Sequence, residues 1–414
     1  MADNLTHMNT MDTATPRDNF KTKLHNLNSL LLIAFGFVLP ISVALANIFG
    51  LLIFLLWLMQ ANFRNDIDKL SNNILVKAIL AFWLLHLIGL LWTSNLTSGI
   101  QVIAKESLLL LLPIFMMVFT RQSTETAIGA FMAAMLMSCA LSFLMCFHVI
   151  PPSQFMINEG DQIVFMGRIS YSPFLTIAIY ISLFYLLLDP TAGKRKKIFT
   201  AITAVFLSIN MFIINGRAGQ VSFFVMIVIV IFQYFSKNLL RALTVAAIAL
   251  PLLIFTTYNV SSTFRERVNL AVSEIEHYGD GQNSSVGLRI AFIRNSLDII
   301  REHPLFGVGT GDFSQEYAKV NQRNTPTLLA TVQPHNMYVL ELVQFGMIGL
   351  TSILSILYAQ IRISQQSNIP LQKHFGLALP ILFAVIMLSD SYLLGHYTTM
   401  LFIFFSAILY QDYA

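Results

Sequence analysis

The stretch Leu27–Met59, LNSLLLIAFGFVLPISVALANIFGLLIFLLWLM, contains no aspartate, glutamate, lysine, arginine or histidine. A helix that crosses the hydrocarbon core of a bilayer needs about 20 apolar residues. The stretch is too long for one such helix and long enough for two short ones, Leu27–Val43 and Ala44–Met59, in a tight hairpin turning near Ala46. Ala44-Leu45-Ala46 also has the small-residue pattern of a signal-peptidase site. The first 26 residues are polar, however, and the apolar run resumes at once with Ile48, which favours the hairpin. The rest of the chain has the same character: 56% of its 414 residues are hydrophobic and 11% are charged. Soluble proteins carry charge on about a quarter of their residues, so a soluble enzyme is excluded. Disorder, which needs low hydrophobicity, is excluded too. The predicted fold class is an all-α polytopic membrane protein of about 12 transmembrane helices.

Further apolar runs lie near 73–92, 106–120, 125–149, 172–188, 198–214, 219–235, 240–257, 336–361, 375–389 and 393–410. Between the last three and the others, Tyr258 to Pro334 carries seven basic and eight acidic residues. Lysine and arginine of short loops collect on the cytoplasmic side. With the N-terminus placed there, fifteen of them fall on that side, including the run Lys194 to Lys197, against Lys105, Arg168 and Arg217 on the other. The expected organisation is a cytoplasmic tail over 1–26, spans one to nine over 27–257, a large extracytoplasmic segment over 258–335, spans ten to twelve over 336–410, and a cytoplasmic C-terminus over 411–414. The net charge of +4 follows from these basic loops and does not point to nucleic acid. Cys139 and Cys146 share one helix face and read as packing residues.

A segment as long as 258–335 is more than a connection; a site or a lid is expected there. Gly287 to His303 has helical apolar spacing, bears Arg289 and Arg294, and is stopped by Pro304. The glycine-rich turn Gly307-Val308-Gly309-Thr310-Gly311 imitates a dinucleotide fingerprint, but no strand precedes it and its third glycine comes one residue early. Asp66-Ile67-Asp68 resembles the metal-binding motif of nucleotide-sugar transferases and reads as a solvated loop face. Arg217 lies in the hairpin Asn215-Gly216-Arg217-Ala218-Gly219-Gln220, where a helix N-terminus adds free N–H groups; an anion site and a snorkelling arginine are its two readings. For Arg289 an anion ligand and a surface ion pair stay open, and for His335, a general base and a helix cap. His86 and His148 read as packing. His396 and Asp390 face outward and could belong to a site. A transporter would need ion-coupling acids within the spans, and only Glu341 and Asp390, near the outer surface, are expected there.

Gly287-Leu288-Arg289, the run His303-Pro304-Leu305-Phe306-Gly307-Val308-Gly309-Thr310-Gly311-Asp312-Phe313, then Pro334-His335-Asn336-Met337-Tyr338 and Phe345-Gly346 together resemble the O-antigen ligase and polymerase superfamily. The Gly216-Arg217-Ala218-Gly219 hairpin, the number of spans and the single large loop fit as well. The resemblance implies a metal-independent, inverting glycosyltransferase of the C type in the bacterial inner membrane, with both termini cytoplasmic and the site facing the periplasm. It implies an undecaprenyl-diphosphate-linked glycan as donor, lipid A–core as acceptor, and no cofactor. Arg217, Arg289 and His335 match the essential positions. Arg168, Gln220, Arg294, His303, Asn336 and Tyr338 are the expected substrate-binding residues, and no metal ligand is expected. One dominant loop favours a ligase over an O-antigen polymerase, and the absence of an extra C-terminal region disfavours a protein O-oligosaccharyltransferase.

Overall fold

A proline and a serine decide where the opening apolar run folds back. Pro40 cannot continue a helix, and the Ser42 hydroxyl, on extended backbone, accepts the Leu45 N–H at 3.3 Å as an N-cap. In the computed structural model, which describes residues 16–151, 163–276 and 284–411, the result is α1 (Pro16–Val38) followed by α2 (Val43–Gln60). The turn therefore lies at Leu39–Ser42, and Ala46, the expected turn, is buried inside α2.

The chain continues through α3 (Phe63–Ser71), α4 (Ile74–Gly89) and α5 (Leu96–Glu106), which passes through a 3-10 turn at Ser107–Leu110 into α6 (Leu111–Val118). Next come α7 (Arg121–Cys146), α8 (Arg168–Leu183) with a π turn at Phe184–Leu188, α9 (Lys194–Ile213), α10 (Arg217–Tyr234) and α11 (Leu239–Val260). The polar segment folds as α12 (Ser262–Glu276), α13 (Ser285–Glu302) and α14 (Phe313–Asn324); α15 (Met337–Gln366), α16 (Pro370–Ile386) and α17 (His396–Tyr410) close the chain. Among the described residues, eight helical segments are long and apolar enough to cross a membrane: α2, α5 joined to α6, α7, α8 with its π turn, α9, α10, α11 and α15. The helices α4, α16 and α17 are apolar but shorter. Together with α1, these fall on the twelve apolar runs of the sequence. The expected helix Gly287–His303 is α13. Of the expected segments, 1–15, 152–162, 277–283 and 412–414 lie outside the described residues.

Helix α17 is buried along its length from Thr398 to Tyr410, and 72% of the apolar window of α8 is buried, against 6% for α11. Helices α8 and α17 are therefore central. α11 presents Leu240, Ile248, Leu252 and Phe255 outward, as a lipid-facing helix does. One expected boundary changes. The span placed at 106–120 begins at Leu96, because Asn95 caps α5 by accepting from Ser98 N–H at 3.0 Å and the 3-10 turn carries the helix on into α6. Lys105 is thus within this helical span rather than ahead of it, and Glu106 lies in its interior rather than at its start.

The glycine-rich turn is a wedge between helices, not a nucleotide loop. α15 leaves helical geometry at Gly346, where φ is 59° and ψ is −145°, a conformation almost confined to glycine. The break frees the Val343 carbonyl and the Met347 N–H. Val308 N–H donates to Val343 at 3.0 Å, and Met347 N–H donates to the Pro304 carbonyl at 2.9 Å. The fit is reciprocal. A Cβ on Gly307 would lie 2.2 Å from the Gln344 backbone, and one on Gly346 would lie 2.4 Å from the Pro304 carbonyl oxygen. Asp312 then ties the turn to the start of α5, its carboxylate accepting from Thr93 Oγ1 at 2.6 Å, Ser94 N–H at 2.6 Å and Asn95 N–H at 2.9 Å. These contacts set α13 and α14 against the ends of α4, α5 and α15.

Candidate active site

Arg217 is the first residue of α10, after Gly216 at the N-cap, so the expected helix N-terminus is present. It lines a cavity of about 230 Å³ together with Arg168, Arg267, Arg289, Glu274, Asp390 and Tyr392. Arg168 is the first residue of α8, Arg267 and Glu274 come from α12, and Arg289 comes from α13. Arg217 Nη1 donates to Glu274 Oε2 at 3.1 Å, and the same oxygen accepts the Val286 N–H at 3.3 Å. Glu274 therefore ties the Arg217 hairpin to the start of α13, four residues before Arg289 in the chain order Ser285-Val286-Gly287-Leu288-Arg289. Arg267 Nε donates to Asn215 Oδ1 at 3.2 Å. Arg289 Nη1 reaches Ser285 Oγ at 3.4 Å. Among the described residues, the buried Nε groups of Arg217 and Arg289 have no hydrogen-bond partner, and buried donors without acceptors are costly. Among the described residues of the lining, four arginines, Arg168, Arg217, Arg267 and Arg289, meet two acids, Glu274 and Asp390. Guanidinium forks suit phosphate oxygens.

His335 adjoins this cavity through Asp390. Its Nδ1 lies 3.3 Å from Asp390 Oδ1, and its ring stacks on Phe292 with centroids 5.9 Å apart. A carboxylate only accepts, so Nδ1 carries the hydrogen, and in the neutral imidazole the lone pair is then on Nε2. The helix-cap reading of His335 is corrected: Asn336 is the N-cap of α15, its side chain accepting the Val339 N–H at 3.1 Å. His335 instead has φ +51°, an uncommon backbone for a residue with a Cβ. Strain of that kind collects at functional sites.

Asp390, Tyr392 and Ile169 are shared with a second cavity of about 500 Å³, lined also by Ser98, Gln101, Lys105, Gln333 and Ser391. Burial pushes the Tyr392 phenol up to about 12, so at neutral pH it is a neutral group that can donate and cannot act as a base. The two cavities therefore meet at an aspartate that holds the histidine.

The other expected residues lie elsewhere. Gln220 is buried, its Nε2 3.4 Å from the Ile214 carbonyl inside the hairpin. Arg294 and His303 are exposed on and after α13. Asn336 caps α15, and the Tyr338 hydroxyl donates to the Ala384 carbonyl of α16 at 2.9 Å. None of these five lines either cavity. His396 contacts Asn47 at 2.7 Å instead. Glu274, Arg267 and Tyr392 were not singled out by sequence: a glutamate and an arginine on an amphipathic helix carry no local mark. The expected short list of acids within the spans, Glu341 and Asp390, gains a third. Glu106 is fully buried at the end of α5, on the other side of His86 from the equally buried Glu341.

The fold and the apolar helices define an all-helical polytopic membrane protein with an arginine-lined cavity beside its polar segment. Residues 202–354, from α9 to α15, match the family model described as O-antigen ligase, and the matched segment holds Arg217, Arg289 and His335. An uncharacterized protein of Haemophilus influenzae is 28% identical over 204 residues, 47% of this chain and 49% of that protein. The chain thus spans about half the length of the curated relative it matches.

Proposed function

We propose that this protein transfers O-antigen glycan from undecaprenyl diphosphate to lipid A–core on the periplasmic face of the inner membrane. The observation that carries this reading is the convergence of Arg168, Arg217, Arg267 and Arg289, from four different helices, on one cavity, since guanidinium forks match the oxygens of a diphosphate. In this reading the acceptor sugar occupies the neighbouring cavity, with its hydroxyl near His335 Nε2. The hydroxyl oxygen attacks the anomeric carbon as the bond from that carbon to the diphosphate breaks. The electron pair leaves with the diphosphate, whose growing charge the arginine forks balance. The hydroxyl proton goes to His335 Nε2, while Asp390 holds Nδ1–H and steadies the imidazolium. One displacement inverts the anomeric centre. The arginines supply the charge balance, so the proposed transfer is metal-independent.

The test is deletion of the gene followed by gel analysis of lipopolysaccharide. Lipid A–core without any O-antigen is expected. Core bearing a single repeat unit would make the protein an O-antigen polymerase of the same superfamily, and unchanged lipopolysaccharide would overturn both.

A further inference from the structure

A second cluster of chemistry-bearing side chains lies away from the arginines, inside the helical bundle. His86 of α4, Glu106 of α5 and Glu341 of α15 are each fully buried. His86 Nε2 lies 3.0 Å from Glu106 Oε1 and 3.6 Å from Glu341 Oε1. One potential ligand atom from each of the three falls within 4.8 Å of the others. Neither carboxylate accepts a hydrogen bond from any other described residue, and none of their four oxygens has a partner of that kind.

The imidazole is held for a purpose other than packing. His86 Nδ1 lies 2.9 Å from the Phe82 carbonyl one turn back. A carbonyl only accepts, so Nδ1 bears the hydrogen and Nε2 is turned to both carboxylates. This is how metal-bound histidines are oriented: the distal nitrogen donates to a backbone carbonyl and the other presents its lone pair. Phe82 and Phe345 fix the ring plane, each with its centroid 4.5 Å from that of His86.

Two occupants can offset two buried carboxylates. Protons can do so by charging His86 and neutralising one acid, but two protons cannot satisfy four oxygens that have no other donor, and each unmet buried acceptor is costly. A dication beside a neutral imidazole and two carboxylates gives a cluster of zero net charge and can engage all four oxygens. An ion about 2.1 Å from each ligand atom sets neighbouring ligand atoms roughly 3–3.5 Å apart; the two measured separations, 3.0 and 3.6 Å, are within about 0.1 Å of that range. One imidazole nitrogen with carboxylate oxygens suits zinc and similar transition metals better than magnesium or calcium, which prefer oxygen alone.

We infer that His86, Glu106 and Glu341 form a structural binding site for one divalent transition-metal ion, with zinc as the reference ion, that pins α4, α5 and α15 together beneath the glycine-rich turn. The turn is fastened to the same place, Thr310 Oγ1 donating to the His86 carbonyl at 2.6 Å. None of the three side chains lines either cavity. The ion therefore takes no part in the proposed transfer, and each proposal can fail without the other. A transporter would need the same acids to meet water, and both are fully enclosed.

The test uses full-length protein from cells grown with added zinc, purified in detergent without chelator, its affinity tag removed. Elemental analysis should give about one equivalent of metal per chain, and His86→Gln, Glu106→Gln and Glu341→Gln should each fall below about a tenth of that. X-ray absorption at the zinc edge of the wild-type protein should show nitrogen and oxygen ligands, an imidazole signature and no sulfur. That measurement stands even where a variant fails to fold. Wild-type protein free of metal would mean a cluster held by protons alone and would overturn the inference. Metal retained equally by monodisperse variants, or an absorption spectrum without imidazole, would overturn it as well.

Discussion

Arg217 and His335 each depend on an acid far away in sequence. Glu274 holds Arg217 at 3.1 Å, and Asp390 holds His335 at 3.3 Å. Arg217→Ala should abolish transfer with the protein still in the membrane. Arg217→Lys should restore little, because lysine offers a point charge in place of a fork; normal lipopolysaccharide from Arg217→Ala would reduce the residue to a lipid anchor. For His335→Asn, turnover by purified protein should drop by about 10²–10⁴-fold, the usual worth of general base catalysis, while binding of the lipid-linked donor persists. Loss of turnover and donor binding together would recast His335 as a diphosphate ligand. The capping role makes a separate forecast one residue on: Asn336→Ala should cost about 1 kcal/mol of stability, read as a lowered Tm, since its side chain holds the Val339 N–H.

At the scale of elements, the contact between the glycine-rich turn and the break in α15 carries the polar segment. Backbone meets backbone there, with Gly307 and Gly346 each leaving no room for a Cβ. Gly346→Ala should destabilise by at least about 1–3 kcal/mol, the cost of forcing a residue with a Cβ into that backbone region. Gly129 is the control. It sits in the interior of α7 with nothing within 4 Å of the position a Cβ would take, so Gly129→Ala should leave Tm unchanged or raise it, by up to about 1 kcal/mol of helix propensity. Equal effects of the two substitutions would mean that the wedge contributes nothing. The signature Phe306-Gly307-Val308-Gly309 with Phe345-Gly346 was legible as a pair of motifs. That one fills the other was not, because their complementarity lies in backbone groups that face each other only after α15 has packed on α4.

For the whole molecule, the charge asymmetry of the short loops fixes a testable orientation. A reporter active only in the periplasm should work when fused after Ser285 or Asn324, which flank the polar helices α13 and α14, and should fail after Gly193, which precedes Lys194 to Lys197. The opposite pattern would reverse the proposed topology and move the arginine cavity to the cytoplasmic side.

Helix existence and the membrane class were determined by sequence alone. Apolar run length is a local property, and a bilayer admits few structures for an uninterrupted apolar run. The arginine hairpin, α13 and the histidine were legible for a related reason: each is a charge or a polar break set against an apolar background. Only the tertiary structure decided the partners. Glu274 is 57 residues from Arg217, and Asp390 is 55 from His335. Glu106 meets His86 and Glu341 only because three helices converge. Periodicity and composition describe which face of a helix is apolar. They do not state which other helix that face will meet, and the chemistry of this protein lies in those meetings.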